Sequence, residues 1–282
     1  MKCVWQSYLS LLPHWMREQV DKHGSETLLE LRLRIGRPPE LVTHKDRFYL
    51  ERTICIEDLN YCVNAASQYS PWSASTIANG YITASGGHRI GVCGDIAMVN
   101  GKITTVSQIS SLCLRVARDF PGIGLQAAGL HGNLLIIGSP GRGKTTLLRD
   151  IIRQKSNNGN GSVAVLDERR ELFPVANGTF SFSPGMRTEV MSGCSKVVGI
   201  EMLIRTMNPS WIAVDEITAS EDTLALIHAG WCGVSLLATA HAEDLRDFLA
   251  RPVYKPLIQN KVFENIVVMQ PDKSWKIERM NI

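Results

Sequence analysis

Nowhere in the 282 residues do about eighteen apolar residues run together, so no membrane-spanning helix is expected. The opening ten residues carry one lysine and no long apolar stretch, which does not read as a secretion signal. No two of the seven cysteines are spaced C-x-x-C, and their number is odd. That pattern excludes a disulfide framework and a zinc module, leaving small buried thiols in a reducing compartment as the expectation. Charge of one sign is also missing. The net charge is +3, too small for a nucleic-acid footprint. No basic groove interleaved with aromatics is evident for single strands. Internal repeats and low-complexity tracts are absent. What remains is the composition of a soluble, cytoplasmic globular chain, 44% hydrophobic and 20% charged, long enough for two domains.

Against that background one segment stands out. Residues Gly138, Ser139, Pro140, Gly141, Arg142, Gly143, Lys144, Thr145 and Thr146 match the phosphate-binding pattern G-x-x-x-x-G-K-[ST]. The apolar run Leu134–Ile137 before it reads as a buried strand. Leu147, Leu148, Ile151 and Ile152 after it give a helix one apolar face, with Arg149, Asp150 and Arg153 on a charged one. Strand, glycine-rich loop and helix form the context that the pattern requires. The glycines let backbone N–H groups converge on phosphate, and the helix turns its positive end to the same place. Lys144 is expected to reach the β- and γ-phosphates of ATP, and Thr145 to ligate Mg²⁺.

Organisation changes along the chain. Residues 1–126 read as a small α+β domain. Helical spacing covers Tyr8 to Val20 and Ile56 to Gln68. Strands are expected at Leu29–Arg34, Tyr81–Ala84, Arg89–Val92 and Leu112–Ala117, with Gly86 and Gly87 turning a hairpin. Pro121-Gly122-Ile123-Gly124 reads as a linker. Residues 127–282 alternate strand and helix, which predicts a mostly parallel sheet covered on both faces. Strands are expected at 134–137, 163–166, 212–214, 235–238 and 266–269. Helices are expected from Lys196 to Met207 and from just after Ser220, with Glu221 and Asp222 in the first turn, to about Gly230.

Ligands of such sheets lie beyond the carboxyl ends of the strands, and each strand here leads into polar residues. The run Trp211–Val214 delivers Asp215 and Glu216. Asp215 suits Mg²⁺ opposite Thr145, and Glu216 suits the polarising of a water for in-line attack. Glu168, at the end of the preceding strand, competes for that role. Arg169 and Arg170 beside it could touch phosphate or a neighbouring subunit. Thr239 and His241 come at the tip of the fourth strand, placed to sense the γ-phosphate. Arg89 and Arg115, in the first half, are candidates to meet charge developing on the phosphoryl group.

Taken together, these segments resemble the stage III sporulation protein AA family, a branch of the P-loop ATPases similar to the motors of type II and type IV secretion and pilus systems. The resemblance is carried by Leu31–Pro38, Gly87–Gly94, Ser110–Arg115, the P-loop, Leu166–Arg169, Gly185–Thr188, Asp215–Ile217 and Thr239–His241. It implies a RecA-like P-loop domain preceded by the smaller α+β domain. It also implies a mother-cell ATPase that supports a channel or secretion-like complex across the membranes around the developing spore. Such motors are hexameric rings whose N-terminal domains supply arginines to the site, which raises Arg89 and Arg115. The segment at His241 resembles their histidine box. Thr218, Glu189 and Ala242 depart from the family pattern, and none is a proposed phosphate or metal ligand. Three other readings remain at this point, a nucleic-acid-dependent ATPase, a nucleotide-binding scaffold without turnover, and a small-molecule phosphotransferase, whose acceptor pocket the sequence does not locate.

Overall fold

The computed structural model describes residues 1–67, 80–99, 102–159, 161–176 and 178–279. Two compact units are present, Met1–Asp119 with Pro174–Ser181, and Phe120–Phe173 with Phe182–Ile282.

The first unit begins with helices α1 (Trp5–Ser10), α2 (His14–Asp21) and α3 (Gly24–Thr27). One helix from Tyr8 to Val20 was expected. Pro13 divides it, because proline has no N–H to donate and caps α2 at a φ of −51°. Strands β1 (Leu28–Arg34), β2 (Glu40–Thr43) and β3 (Arg47–Tyr49) precede helix α4 (Ile56–Ser67), and β4 (Tyr81–Thr83), β5 (Arg89–Val99) and β6 (Lys102–Arg115) follow. Gln68, expected in α4, lies outside the described residues. The six strands form an antiparallel sheet in the order β3-β2-β1-β6-β5-β4. In β1, Leu31 and Leu33 point inward while Arg32 and Arg34 do not, as strand alternation requires. The core gathers Tyr8, Leu12, Met16, Leu59 and Leu114 around them.

β5 and β6 run much further than the sequence suggested. Their distal halves pair beyond Val92 with three register shifts, and Ile96, Met98 and Ile103 stay exposed there. Polarity at Asp95, Thr104, Thr105 and Gln108 hid that extension. Gly94 admits no side chain, since a Cβ would lie 2.0 Å from the Gln108 carbonyl oxygen.

The second unit holds helix α5 (Leu125–Ala128), β7 (Leu134–Ile137), α6 (Lys144–Asn158) and β8 (Val163–Asp167). The short strands β9 (Val175–Ala176) and β10 (Thr179–Phe180) pair with each other and group with the first unit. Then come β11 (Thr188–Ser192), α7 (Lys196–Met207), β12 (Trp211–Ile217), α8 (Ser220–Trp231), β13 (Ser235–Ala240), α9 (Leu245–Ala250), α10 (Lys255–Gln259), β14 (Asn265–Met269) and β15 (Trp275–Arg279). The sheet order is β11-β8-β12-β13-β7-β14-β15. Every pairing is parallel except that of β14 with β15. β7, β8 and β14 are buried throughout, which is why they read as unbroken apolar runs. The topology brings the carboxyl ends of β8, β12, β13 and β7 side by side.

The charged face expected on α6 is buried. Arg149 donates to the carbonyls of Glu171 and Leu172 and lies over the Phe182 ring. Asp150 accepts from the backbone N–H groups of Gly122 and Gly124 and from Arg153. Each charge is consumed by a partner, which is the condition for burying it. The thiols also differ from expectation. All seven are free, but only Cys62 is buried, and Cys93 and Cys232 are exposed.

One buried group makes the first unit sensitive to acid. His88 accepts from the Ala117 N–H at Nδ1 and meets the Val4 carbonyl at Nε2, both at 3.1 Å. Burial lowers its pKa to about 4. The folded chain therefore holds fewer protons than the unfolded chain between pH 6.5 and 4, and stability is lost as pH falls through that window. Denaturant unfolding at a series of pH values should give a shallower acid slope for His88→Gln than for wild type. Equal slopes would contradict this account.

Candidate nucleotide site

The loop between β7 and α6 is shaped by its glycines. Gly141 and Gly143 take φ values of +77° and +95°, a left-handed conformation that favours glycine. Gly143 caps α6, so the helix starts at Lys144 and directs its N-terminal end at the loop. At Gly138 a side chain would strike the Met269 Cβ at 2.8 Å, so β14 closes the loop from behind.

Lys144 is buried, and its Nζ donates to the carbonyl oxygens of Gly138 at 2.7 Å and Ser139 at 3.1 Å. Its third partner is His241 Nδ1 at 2.9 Å. Burial lowers the pKa of the amine, while Asp215 and Glu216 push it back up. No carboxylate among the described residues lies within ion-pair distance of it. Thr145, next in α6, donates its hydroxyl to Asp215 Oδ2 at 2.7 Å. The residues are 70 apart in sequence.

β12 does not stop at Val214 as expected. It runs to Ile217 with one extra residue, because Val214 pairs with Ala238 and Ile217 with Ala240. Asp215 and Glu216 together face Thr239 in this bulge, and Glu216 takes a φ of +57°. That backbone costs roughly 1–3 kcal/mol for a residue with a Cβ. Adjacent residues of a regular strand point to opposite faces, so the distortion re-aims the carboxylates. Thr239, fully buried, stitches the bulge together. Its hydroxyl donates to Asp215 Oδ1 at 2.5 Å and accepts from the Glu216 N–H at 2.7 Å. Glu216 Oε1 meets His241 Nε2 at 3.0 Å, and its Oε2 accepts from Arg169 at 2.7 Å.

Lys144, Thr145, Asp215, Glu216, Thr239 and His241 thus converge. Glu168 is engaged elsewhere, accepting at 2.5 Å from the buried ammonium of Lys196, which also lies 3.6 Å from Asp222. Arg142 reaches the Met269 carbonyl. Arg89 and Arg115 belong to the first unit, where they are cross-strand partners of β5 and β6. Arg89 stacks on Tyr81, and Arg115 lies 3.8 Å from Glu30. The sequence reading missed two participants. Lys196 gave no signal beyond being the first residue of a helix. Asp167 is buried and accepts from the N–H groups of Glu171 and Phe173, and burial raises its pKa to about 6. The run of polar residues after it was the available cue.

The family model for sporulation stage III, protein AA matches residues 7–278. The chain belongs to that family. It is 34% identical over 278 residues to stage III sporulation protein AA of Bacillus subtilis strain 168, covering 93% of this chain and 90% of that one. Among solved structures it is similar to the Legionella pneumophila ATPase DotB, with a TM-score of 0.60 at 16% identity, over 95% of this chain and 80% of that one. It is equally similar to the pilus retraction motor PilT with bound ADP, with a TM-score of 0.60 at 13% identity, over 94% and 83%. At such identities the likeness concerns the fold, and the fold is the RecA-like α/β architecture with a mostly parallel sheet that the sequence implied. No helix among the described residues is long and apolar enough to cross a membrane.

Replacing Thr239 with valine keeps its shape and removes its hydroxyl. The Glu216 N–H and one Asp215 oxygen then lose their partner, which should cost about 1–3 kcal/mol. Chemical denaturation is the measure, and Thr239→Ser should lose much less. A valine variant as stable as wild type would mean that the hydroxyl does not hold the bulge.

Proposed function

We propose that this family member is a magnesium-dependent ATPase. It works as a homo-oligomer, in the form of a hexameric ring, on the cytoplasmic mother-cell side. There it supports a transmembrane channel or secretion-like complex during endospore formation, which it contacts through protein partners. The observation that supports the reading is the 2.7 Å contact between Thr145 and Asp215, which brings the two sequence motifs expected to hold a nucleotide together from distant parts of the chain.

The residues fit the groups they would hold. A hydroxyl and a carboxylate are hard oxygen donors suited to Mg²⁺, and Lys144 is a buried cation with no carboxylate partner among the described residues, suited to phosphate. With glycine at 138, 141 and 143, the loop of Ser139, Pro140, Arg142 and Thr146 can curve around phosphate oxygens, Pro140 shaping the turn without an N–H to donate. Magnesium held by Thr145 and Asp215 would offset charge on the phosphates. Lys144 orients the terminal phosphates. Glu216 takes the proton of the attacking water, and His241, in contact with both Lys144 and Glu216, registers what happens at the phosphate. Glu168, which accepts from the buried ammonium of Lys196, is the competing base. Arg89 and Arg115 are the candidates to meet developing charge in the assembled oligomer. The domain of residues 1–126 would move against that of residues 127–282 through the segment near Gly122. Asp150, on the helix that follows the P-loop, grips that segment.

Lys144→Ala should reduce ATP turnover to background. A purified variant that hydrolyses ATP at the wild-type rate would refute the reading. Glu216→Gln should keep nucleotide binding and lose roughly 10²–10⁴ in turnover, the usual worth of a general base. Glu168→Gln should lose much less, and the reverse ranking would move the base to Glu168.

A further inference from the structure

The contacts around Glu216 form a line that the ATPase reading does not require. The Lys144 ammonium has three hydrogens and meets three acceptors, the carbonyls of Gly138 and Ser139 and Nδ1 of His241. Any phosphate oxygen that Lys144 takes must displace one of them. The carbonyls belong to the same tight loop, five and six residues away. His241 lies just past β13, 97 residues away, and is the partner that can be given up.

An ammonium has no lone pair, so His241 accepts at Nδ1 and carries its proton on Nε2. From there it donates to Glu216 Oε1 at 3.0 Å. The other carboxylate oxygen accepts from Arg169 at 2.7 Å. Both oxygens of Glu216 are therefore engaged, one by a side chain linked to Lys144 and one by Arg169. Arg169 is not needed to neutralise a buried charge, because its side chain is 54% exposed and that of Glu216 is 27% exposed. Nor is it fixed in a loop of low strain, since Arg170 beside it takes a φ of +55°.

We propose that Arg169 is a positioning residue that restrains Glu216, while contact of phosphate with Lys144 loosens the opposite hold through His241. This rests on the reading of Glu216 as the base. A carboxylate fastened at both oxygens is less free to turn a lone pair to water. Loss of Arg169 should therefore speed turnover, which a merely decorative surface ion pair would not do.

Steady-state ATP hydrolysis by the full chain tests this. Arg169→Ala should raise kcat by about two- to fivefold, the scale of an exposed ion pair, and leave KM for ATP unchanged. Arg169→Lys, which keeps a donor, should stay near wild type. In a Glu216→Gln background, Arg169→Ala should have no effect, because the group it restrains is gone. A readout independent of turnover is the ¹⁵N resonance of the His241 ring. Adding a non-hydrolysable ATP analogue with magnesium should shift Nδ1 as Lys144 leaves it. An Arg169→Ala variant with kcat equal to or below wild type would overturn the restraint. An Nδ1 signal unmoved by a bound analogue would overturn the link through His241. If Lys144→Ala still hydrolyses ATP, the ATPase reading itself fails. If that variant is inactive and Arg169→Ala is no faster, only the restraint fails.

Discussion

Asp215 accepts from two threonine hydroxyls, Thr145 at 2.7 Å and Thr239 at 2.5 Å, and so ties α6 to β12 and β13 at the carboxyl end of the sheet. The remaining geometry follows from that junction. With Asp215 held from both sides, the extra residue in β12 is forced into a bulge, and Glu216 takes its left-handed backbone. Its side chain is then delivered to His241 and Arg169. Strain in the strand and precision at the site are two aspects of one local distortion. The sheet beneath can support it because β7, β8 and β13 are almost wholly buried and paired on both sides.

Burial of charge in the second unit obeys the same rule as the site. Asp150, Arg149, Arg153 and Lys196 are buried, and each has backbone or ionic partners that replace water. Their partners are mostly loop carbonyls and loop N–H groups. Ionic side chains on α6 and α7 thereby fix the loops that flank the carboxyl end of the sheet, and the apolar core does not have to reach them. Lys155 differs in that it lies over the Trp211 ring at 3.7 Å and donates to the Leu130 carbonyl, and burial lowers its pKa to about 8.

Much of this was legible in the sequence, for physical reasons that can be named. β7, the P-loop and α6 were readable because fully buried parallel strands leave unbroken apolar runs and because tight turns demand glycine. The helix Lys196–Met207 was readable to its last residue, where Asn208 turns the backbone to a φ of +44°. The two motifs together led to Thr145 and Asp215 being expected on either side of Mg²⁺, and in the structure the two side chains are hydrogen-bonded to each other. The bulge was not legible, since nothing in Trp211–Ile217 marks an inserted residue, and Glu216 is not a residue that favours positive φ. The charged face of α6 misled, because periodicity reports which residues share a face and not whether loops will cover it. The distal part of the β5–β6 hairpin was hidden by polar residues, and the break at Pro13 by helical spacing on either side of it.

Membership of the sporulation stage III protein AA family and a RecA-like fold set the frame, and the proposed chemistry would rest on Thr145, Asp215 and Lys144 acting on one triphosphate. The most direct test is an experimental structure of the chain with a non-hydrolysable ATP analogue and magnesium. The account predicts the cation between Thr145 and Asp215, directly or through water, with Lys144 on the terminal phosphates and no longer on His241. Phosphates bound away from the 138–146 loop, with the Thr145–Asp215 contact undisturbed, would contradict it.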